Sequence, residues 1–147
     1  MESAITQKKA PVWFWILAVL LLLWNIMGVV SFFMHAFISD EALAKLPENE
    51  RALYAEYPFW STILFAIAVL GGLLGSIAMV ARKKAAVFLF IISFLVVVPQ
   101  MIHNVFFTQS IAVYGLLQAT LMPILVVLIG AFLIWFSIFS KNKNWLK

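Results

Sequence analysis

From Ala85 to Phe107 the chain reads AAVFLFIISFLVVVPQMIHNVFF, without an acid, a lysine or an arginine. A helix that crosses the hydrocarbon of a bilayer needs ~20 mostly apolar residues, and this stretch supplies them. The triplet Arg82-Lys83-Lys84 stands immediately before it. Within it, Ser93, Pro99, Gln100, His103 and Asn104 are residues that hydrocarbon does not favour. Their polar groups have to turn inward and find partners, because leaving them against lipid is costly.

The rest of the chain agrees with a membrane setting. Of its 147 residues 65% are hydrophobic and 11% are charged, with a mean hydropathy of +1.08. Ordinary soluble domains carry about 25% charged residues. A small soluble domain keeps much of its surface in water, so lipid has to cover the excess. We expect one membrane domain over residues 1–147. Cysteine is absent, which excludes disulfides, thiolate metal sites and thiol redox chemistry. Basic residues flank the apolar runs instead of forming a patch interleaved with aromatics, so no nucleic-acid footprint is visible.

Three further runs resemble the first. Val12–Met34 follows Lys8 and Lys9 and opens with Trp13 and Trp15, rings that favour the headgroup layer. It is too long for a signal-peptide core and no small-x-small cleavage site follows it. Residues 59–81 form the second span, 85–107 the third and 116–139 the fourth. Residues 40–58, the one extended polar segment, are divided by Pro47. Asp40 and Asn49 are expected to cap two short helices there. Leu43, Leu46, Leu53, Tyr54 and Tyr57 give this loop an apolar side. In the second span, Gly71 and Gly75, and Gly72 and Ser76, set small residues four apart, so that another backbone can approach closely. Packing within the chain is the expected use, and a homo-oligomer the alternative. The 82–84 turn is short enough to make the second and third spans an antiparallel pair. The fold class is therefore all-α, an integral membrane four-helix bundle.

Charge gives an expected orientation. Lys8, Lys9, Arg82, Lys83, Lys84, Lys141, Lys143 and Lys147 meet only Glu2 on their side. The 40–58 loop carries Asp40, Glu41, Glu48, Glu50 and Glu56 against Lys45 and Arg51. The positive-inside rule then puts both termini in the cytoplasm and the acidic loop outside.

The spans carry polar residues on two stripes. At ~100° per residue, Asn25, Gly28, Phe32 and His35 share an arc of the first span, and Ser93, Gln100, His103 and Asn104 share a face of the third. These stripes face each other if the helices are neighbours, with Tyr57, Trp60, Tyr114 and Gln118 around the rim. The plain role for Asn25, Gln100 and Asn104 is hydrogen bonding across helices, worth about 0.6 kcal/mol each. The functional role is a ligand-binding pocket for a small neutral solute or headgroup, formed by Asn25, His35, Gln100, His103, Asn104, Tyr57, Trp60 and Gln118. His35 and His103 also raise axial ligation of a haem. Nothing else in the sequence marks a haem slot, and no span offers a carboxylate to complete a metal site. No cofactor or metal is therefore expected. Without an acid or base in any span, neither a proton relay nor a hydrolase centre is expected, and the chain reads as no enzyme.

The chain also resembles a family of small uncharacterised bacterial inner-membrane proteins with four spans. The resemblance rests on Trp13-Phe14-Trp15, on Leu23 to Gly28 (LWNIMG), and on Leu53-Tyr54, Tyr57-Pro58 and Trp60. It extends through the block from Ala66 to Lys84, AIAVLGGLLGSIAMVARKK, and on to Gln100 and His103. Members are often labelled sugar transporters. The resemblance implies a multi-pass protein of the bacterial inner membrane that binds or transports a small solute such as a sugar. The alternatives are a non-catalytic accessory or scaffold that binds lipid or a partner protein and, less favoured, a haem or quinone redox protein.

Overall fold

The structure, a computed structural model, describes residues 8–147; Glu2 of the charge count falls outside the described residues. The described chain forms α1 (Val12–Ala36), α2 (Asp40–Ala44), α3 (Glu48–Glu56), α4 (Phe59–Val80), α5 (Ala85–Phe106), α6 (Ser110–Tyr114) and α7 (Leu116–Asn142). There is no strand among the described residues. Helices α1, α4, α5 and α7 are each long and apolar enough to cross a membrane. The expected all-α four-helix bundle is therefore the architecture found. Large apolar side chains stand on its outside, with Phe59 79%, Leu117 78% and Val12 75% exposed. Apolar surface this extensive needs a lipid cover.

Several boundaries differ from the sequence reading. α1 runs past Met34 to Ala36 and α7 past Phe139 to Asn142, since a helix need not stop where the apolar run does. The caps of the loop helices lie one and two residues earlier than expected. Ser39, not Asp40, caps α2, its hydroxyl accepting from the Ala42 N–H at 3.1 Å. Pro47 occupies the cap position of α3, and Asn49 lies within the helix and accepts from the Glu50 N–H. Between the third and fourth spans the chain forms the short helix α6, followed by Gly115 at φ 84°.

Helix α4 is the centre of the packing: it lies against both α1 and α5, while α5 also packs on α7. Its small residues explain how one helix holds two partners. A Cβ at Gly75 would meet Phe90 Cε1 at 2.6 Å, and one at Gly71 would meet Ser93 Cβ at 3.3 Å. A Cβ at Gly72 would collide with Asn25 Oδ1. Gly71 and Gly75 thus seat α5, and Gly72 seats α1. Beside Gly72, the Ser76 hydroxyl accepts from Asn25 Nδ2 at 2.7 Å. On the α5 side, the Ser93 hydroxyl donates to the Ala68 carbonyl at 2.6 Å. These faces are filled from within the chain.

At the basic end the helices are knitted into an aromatic core. Phe14 and Phe136 are fully buried, their rings 5.6 Å apart, and Trp145 and Leu146 of the C-terminal tail fold back onto them. Backbone bonds fix that tail: Lys8 N–H to the Asn144 carbonyl at 2.8 Å, Lys84 N–H to the Lys147 carbonyl at 3.0 Å, and Lys147 N–H to the Arg82 carbonyl at 2.6 Å. The Arg82 guanidinium donates to the carbonyls of Trp145, at 2.8 Å, and of Lys8. The three basic segments are therefore tied together at one end of the bundle, and the acidic loop lies at the other.

Candidate functional site

A cavity of about 230 Å³ opens at the loop end. α1 contributes Ser31 and His35, the start of α4 contributes Ser61, Thr62 and Phe65, and α5 contributes Gln100, Met101 and Asn104, with Tyr57 from the approach to α4. Helical spacing explains the set. Ser31 and His35, Ser61 and Phe65, and Gln100 and Asn104 are each four apart within one helix, so each pair lies on one face, and Tyr57 is brought in by the extended segment that leads into α4. No lining residue carries a formal charge, apart from whatever proton the His35 imidazole holds.

The loop holds this cavity in shape. The Tyr57 hydroxyl donates to Asn104 Oδ1 at 2.5 Å. The Asn104 carbonyl in turn accepts from the hydroxyls of Thr108 and, at 2.9 Å, Ser110. Asn104 thereby joins the α3–α4 connection, the end of α5 and the start of α6. The Gln109 N–H donates to Glu56 Oε2 at 2.8 Å, tying α3 to α6. His35 stacks on Tyr54 at 4.7 Å and meets the edge of Tyr57 at 4.6 Å. Burial pushes the Tyr57 hydroxyl up to about 12, helped by Tyr114, Tyr54 and Glu56 nearby, which disfavour a further negative charge. Burial also raises Tyr114, with Glu50 and Tyr54 adding to it.

Two residues that line this cavity each carry a buried polar atom with no hydrogen-bond partner within the described residues. The atoms are Ser61 Oγ and Gln100 Oε1, on side chains 1% and 4% exposed. Buried polar groups are normally paired, and leaving one unpaired costs about 1–3 kcal/mol. Both atoms can accept a hydrogen bond and Ser61 can also donate one. Their chemistry suits a guest rich in hydroxyl groups.

The structure brings together some of the residues selected from the sequence and separates others. His35, Tyr57, Gln100 and Asn104 line the cavity. His103 does not: it packs edge-on to Trp60 at 4.8 Å and stacks on Phe107, and its Nδ1 is a third buried atom without a partner. On α5, His103 is turned ~60° from Gln100 in one direction and Asn104 ~40° in the other, and the cavity lies on the Asn104 side. Trp60 follows His103 away from the cavity, and Gln118 is exposed on the first turn of α7. Asn25 lies ~15 Å along α1 from His35 by helical rise. Its amide bonds Ser76 and the Leu21 carbonyl, and Asn25 lines not this cavity but the second one, described below. The two stripes therefore do not pack directly; α4 lies against both helices, and the cavity lies between their loop-side ends.

Sequence reasoning missed Ser31, Ser61, Thr62, Phe65 and Met101. A single hydroxyl in an apolar span can bond its own helix backbone, so Ser and Thr gave no signal. The four-residue spacings of Ser61 and Phe65 on α4 and of Ser31 and His35 on α1 were the available clue. His35 and His103 line no common cavity among those found, and the described residues hold no cluster of three or more potential metal ligands. Compared with protein-family models, with curated proteins and with solved structures, the chain finds no match.

Proposed function

We propose that this is a multi-pass protein of a bacterial inner membrane that binds, and in that way stores or passes on, a small uncharged hydroxyl-bearing molecule such as a sugar. The observation that carries this reading is the pair of unpartnered acceptors, Ser61 Oγ and Gln100 Oε1, buried just behind the surface of two residues that line a cavity without formally charged walls. The positive-inside rule favours the basic end in the cytoplasm, so that the cavity opens on the outer side. Binding or transport fits better than catalysis, because no carboxylate, lysine or cysteine lines the cavity and its one imidazole, His35, packs on Tyr54 and Tyr57.

Thermal unfolding of the purified protein with neutral hexoses and polyols tests this. A ligand at one hundred times its Kd adds ~2.7 kcal/mol of stability. Sugars also stabilise proteins generally by exclusion from their surface, so the control is Gln100→Leu, which keeps bulk and removes the acceptor. The expected result is a saturable stabilisation of the wild type that Gln100→Leu loses. Equal shifts in both proteins, or none with any sugar or polyol, would refute the proposal.

A further inference from the structure

A second cavity, of about 260 Å³, runs down from the first between α1 and α7. Met27 of α1 and Met122 of α7 line it and are 63% and 53% exposed, so it opens sideways, where lipid lies. Phe94 and Val97 of α5 form part of its floor, and Leu133 and Phe90 close it at the aromatic core. The reason for the gap is visible in the packing. α1 and α7 meet through Phe14, Phe136 and Trp13 at the basic end, and the crevice separates them above it. The polar cavity shares Ser31, Phe65, Met101 and Asn104 with this crevice. The two cavities are therefore adjacent, a polar one at the loop end and a mainly apolar one whose walls also carry Asn25 and Ser93.

We infer that the ligand is an amphiphile: an uncharged, hydroxyl-bearing headgroup in the polar cavity and a single alkyl chain along the α1–α7 crevice. This rests on the binding role proposed above and narrows it to a membrane-borne ligand. The shape selects the occupant. A cavity of ~150 Å³ lined by aliphatic and aromatic side chains accepts benzene, so the crevice has room for an alkyl chain. One turn of a helix from a second copy, ~10–12 Å across and ~5.4 Å long, already takes up more than the crevice's volume of about 260 Å³. The two methionines suit a flexible chain, since an unbranched thioether repacks easily. A charged headgroup is disfavoured because no opposite charge lines the polar end.

Trp24 lines the crevice, which gives the test its reporter. The protein is placed in phosphatidylcholine nanodiscs with a small fraction of an alkyl glucoside whose chain carries bromine, a contact quencher of tryptophan. The Trp24 signal is the emission of the wild type less that of Trp24→Phe. The expected result is stronger quenching of this signal by the brominated glucoside than by the same fraction of brominated phosphatidylcholine. That excess should be lost in Gln100→Leu, which removes the headgroup acceptor, and in Val126→Trp, which fills the crevice. Equal quenching by the two lipids in the wild type overturns the inference even if Val126→Trp does not fold. If free glucose stabilises the wild type but not Gln100→Leu while that excess is absent, the pocket stands and the amphiphile falls. If neither glucose nor the glucoside binds, both fall. The chain has no cysteine, so disulfide-linked dimers of Met122→Cys joined through the crevice would assign it to a second copy and also overturn the inference.

Discussion

Gly75→Ala and Gly28→Ala make the same chemical change in two differently crowded places. A Cβ at Gly28 meets only Val69 Cγ1 at 3.6 Å, an ordinary contact, whereas at Gly75 it meets Phe90 Cε1 at 2.6 Å and Cδ1 at 2.7 Å. Phe90 is 2% exposed and belongs to the aromatic core, so its ring has little room to yield. Both variants gain the same helix propensity, up to ~1 kcal/mol. Gly75→Ala also incurs an overpacking cost of about 1–3 kcal/mol. The propensity gain cancels in the comparison, so the difference between the variants isolates the cost of separating α4 from α5. We expect Gly28→Ala to be neutral or slightly stabilised and Gly75→Ala to be less stable than it by about 1–3 kcal/mol. Adding Phe90→Leu to Gly75→Ala should recover part of the loss, because the smaller side chain vacates the space the Cβ needs. Reversible unfolding in mixed micelles, followed by tryptophan emission, measures all three. Equal stability of the two alanine variants, or no rescue by Phe90→Leu, would refute this account of how the small residues act.

Two other expectations follow from the ends of the bundle. Tyr57 is pushed up to about 12 from an ordinary value of about 10, so its neutral form is favoured by the fold. Its contribution to stability is complete below pH ~10 and is lost as pH rises toward ~12. The tyrosinate absorbance of the wild type less that of Tyr57→Phe should therefore have its midpoint near 12, and a midpoint near 10 would show a hydroxyl open to water. At the other end, Arg82 holds φ 58°, a left-handed conformation that costs most residues roughly 1–2 kcal/mol. Arg82→Ala and Arg82→Gly both lose the guanidinium bonds to Trp145 and Lys8, but glycine accepts this φ freely. Arg82→Gly should therefore be the more stable of the two by about 1 kcal/mol, the reverse of the usual helix order, and amide exchange of residues 144–147 should be slower in it.

The charge-free apolar runs fix four helices and a membrane setting, because hydrocarbon admits little else, and the tight 82–84 turn makes α4 and α5 neighbours. The polar stripes were legible as a demand for partners but not as an address. Asn25 and Gln100 look alike in the sequence, as amides in apolar spans. Asn25 lies where Gly72 leaves room for it beside Ser76, and its amide is paired there. Gln100 lies where α1 and α5 stand apart, and its carbonyl is left over. His103 looked like a partner of His35, yet a rotation of less than a quarter-turn on α5 sends it to Trp60. Spacing gives the angle of each side chain about its own helix, but the angle of that helix about its neighbours is set by packing. Here that packing is the seating of α1 and α5 on the small residues of α4 and the joining of α1 to α7 at the basic end. The crevice between α1 and α7 has no counterpart in the sequence, because it is made by two helices that meet at one end and part at the other.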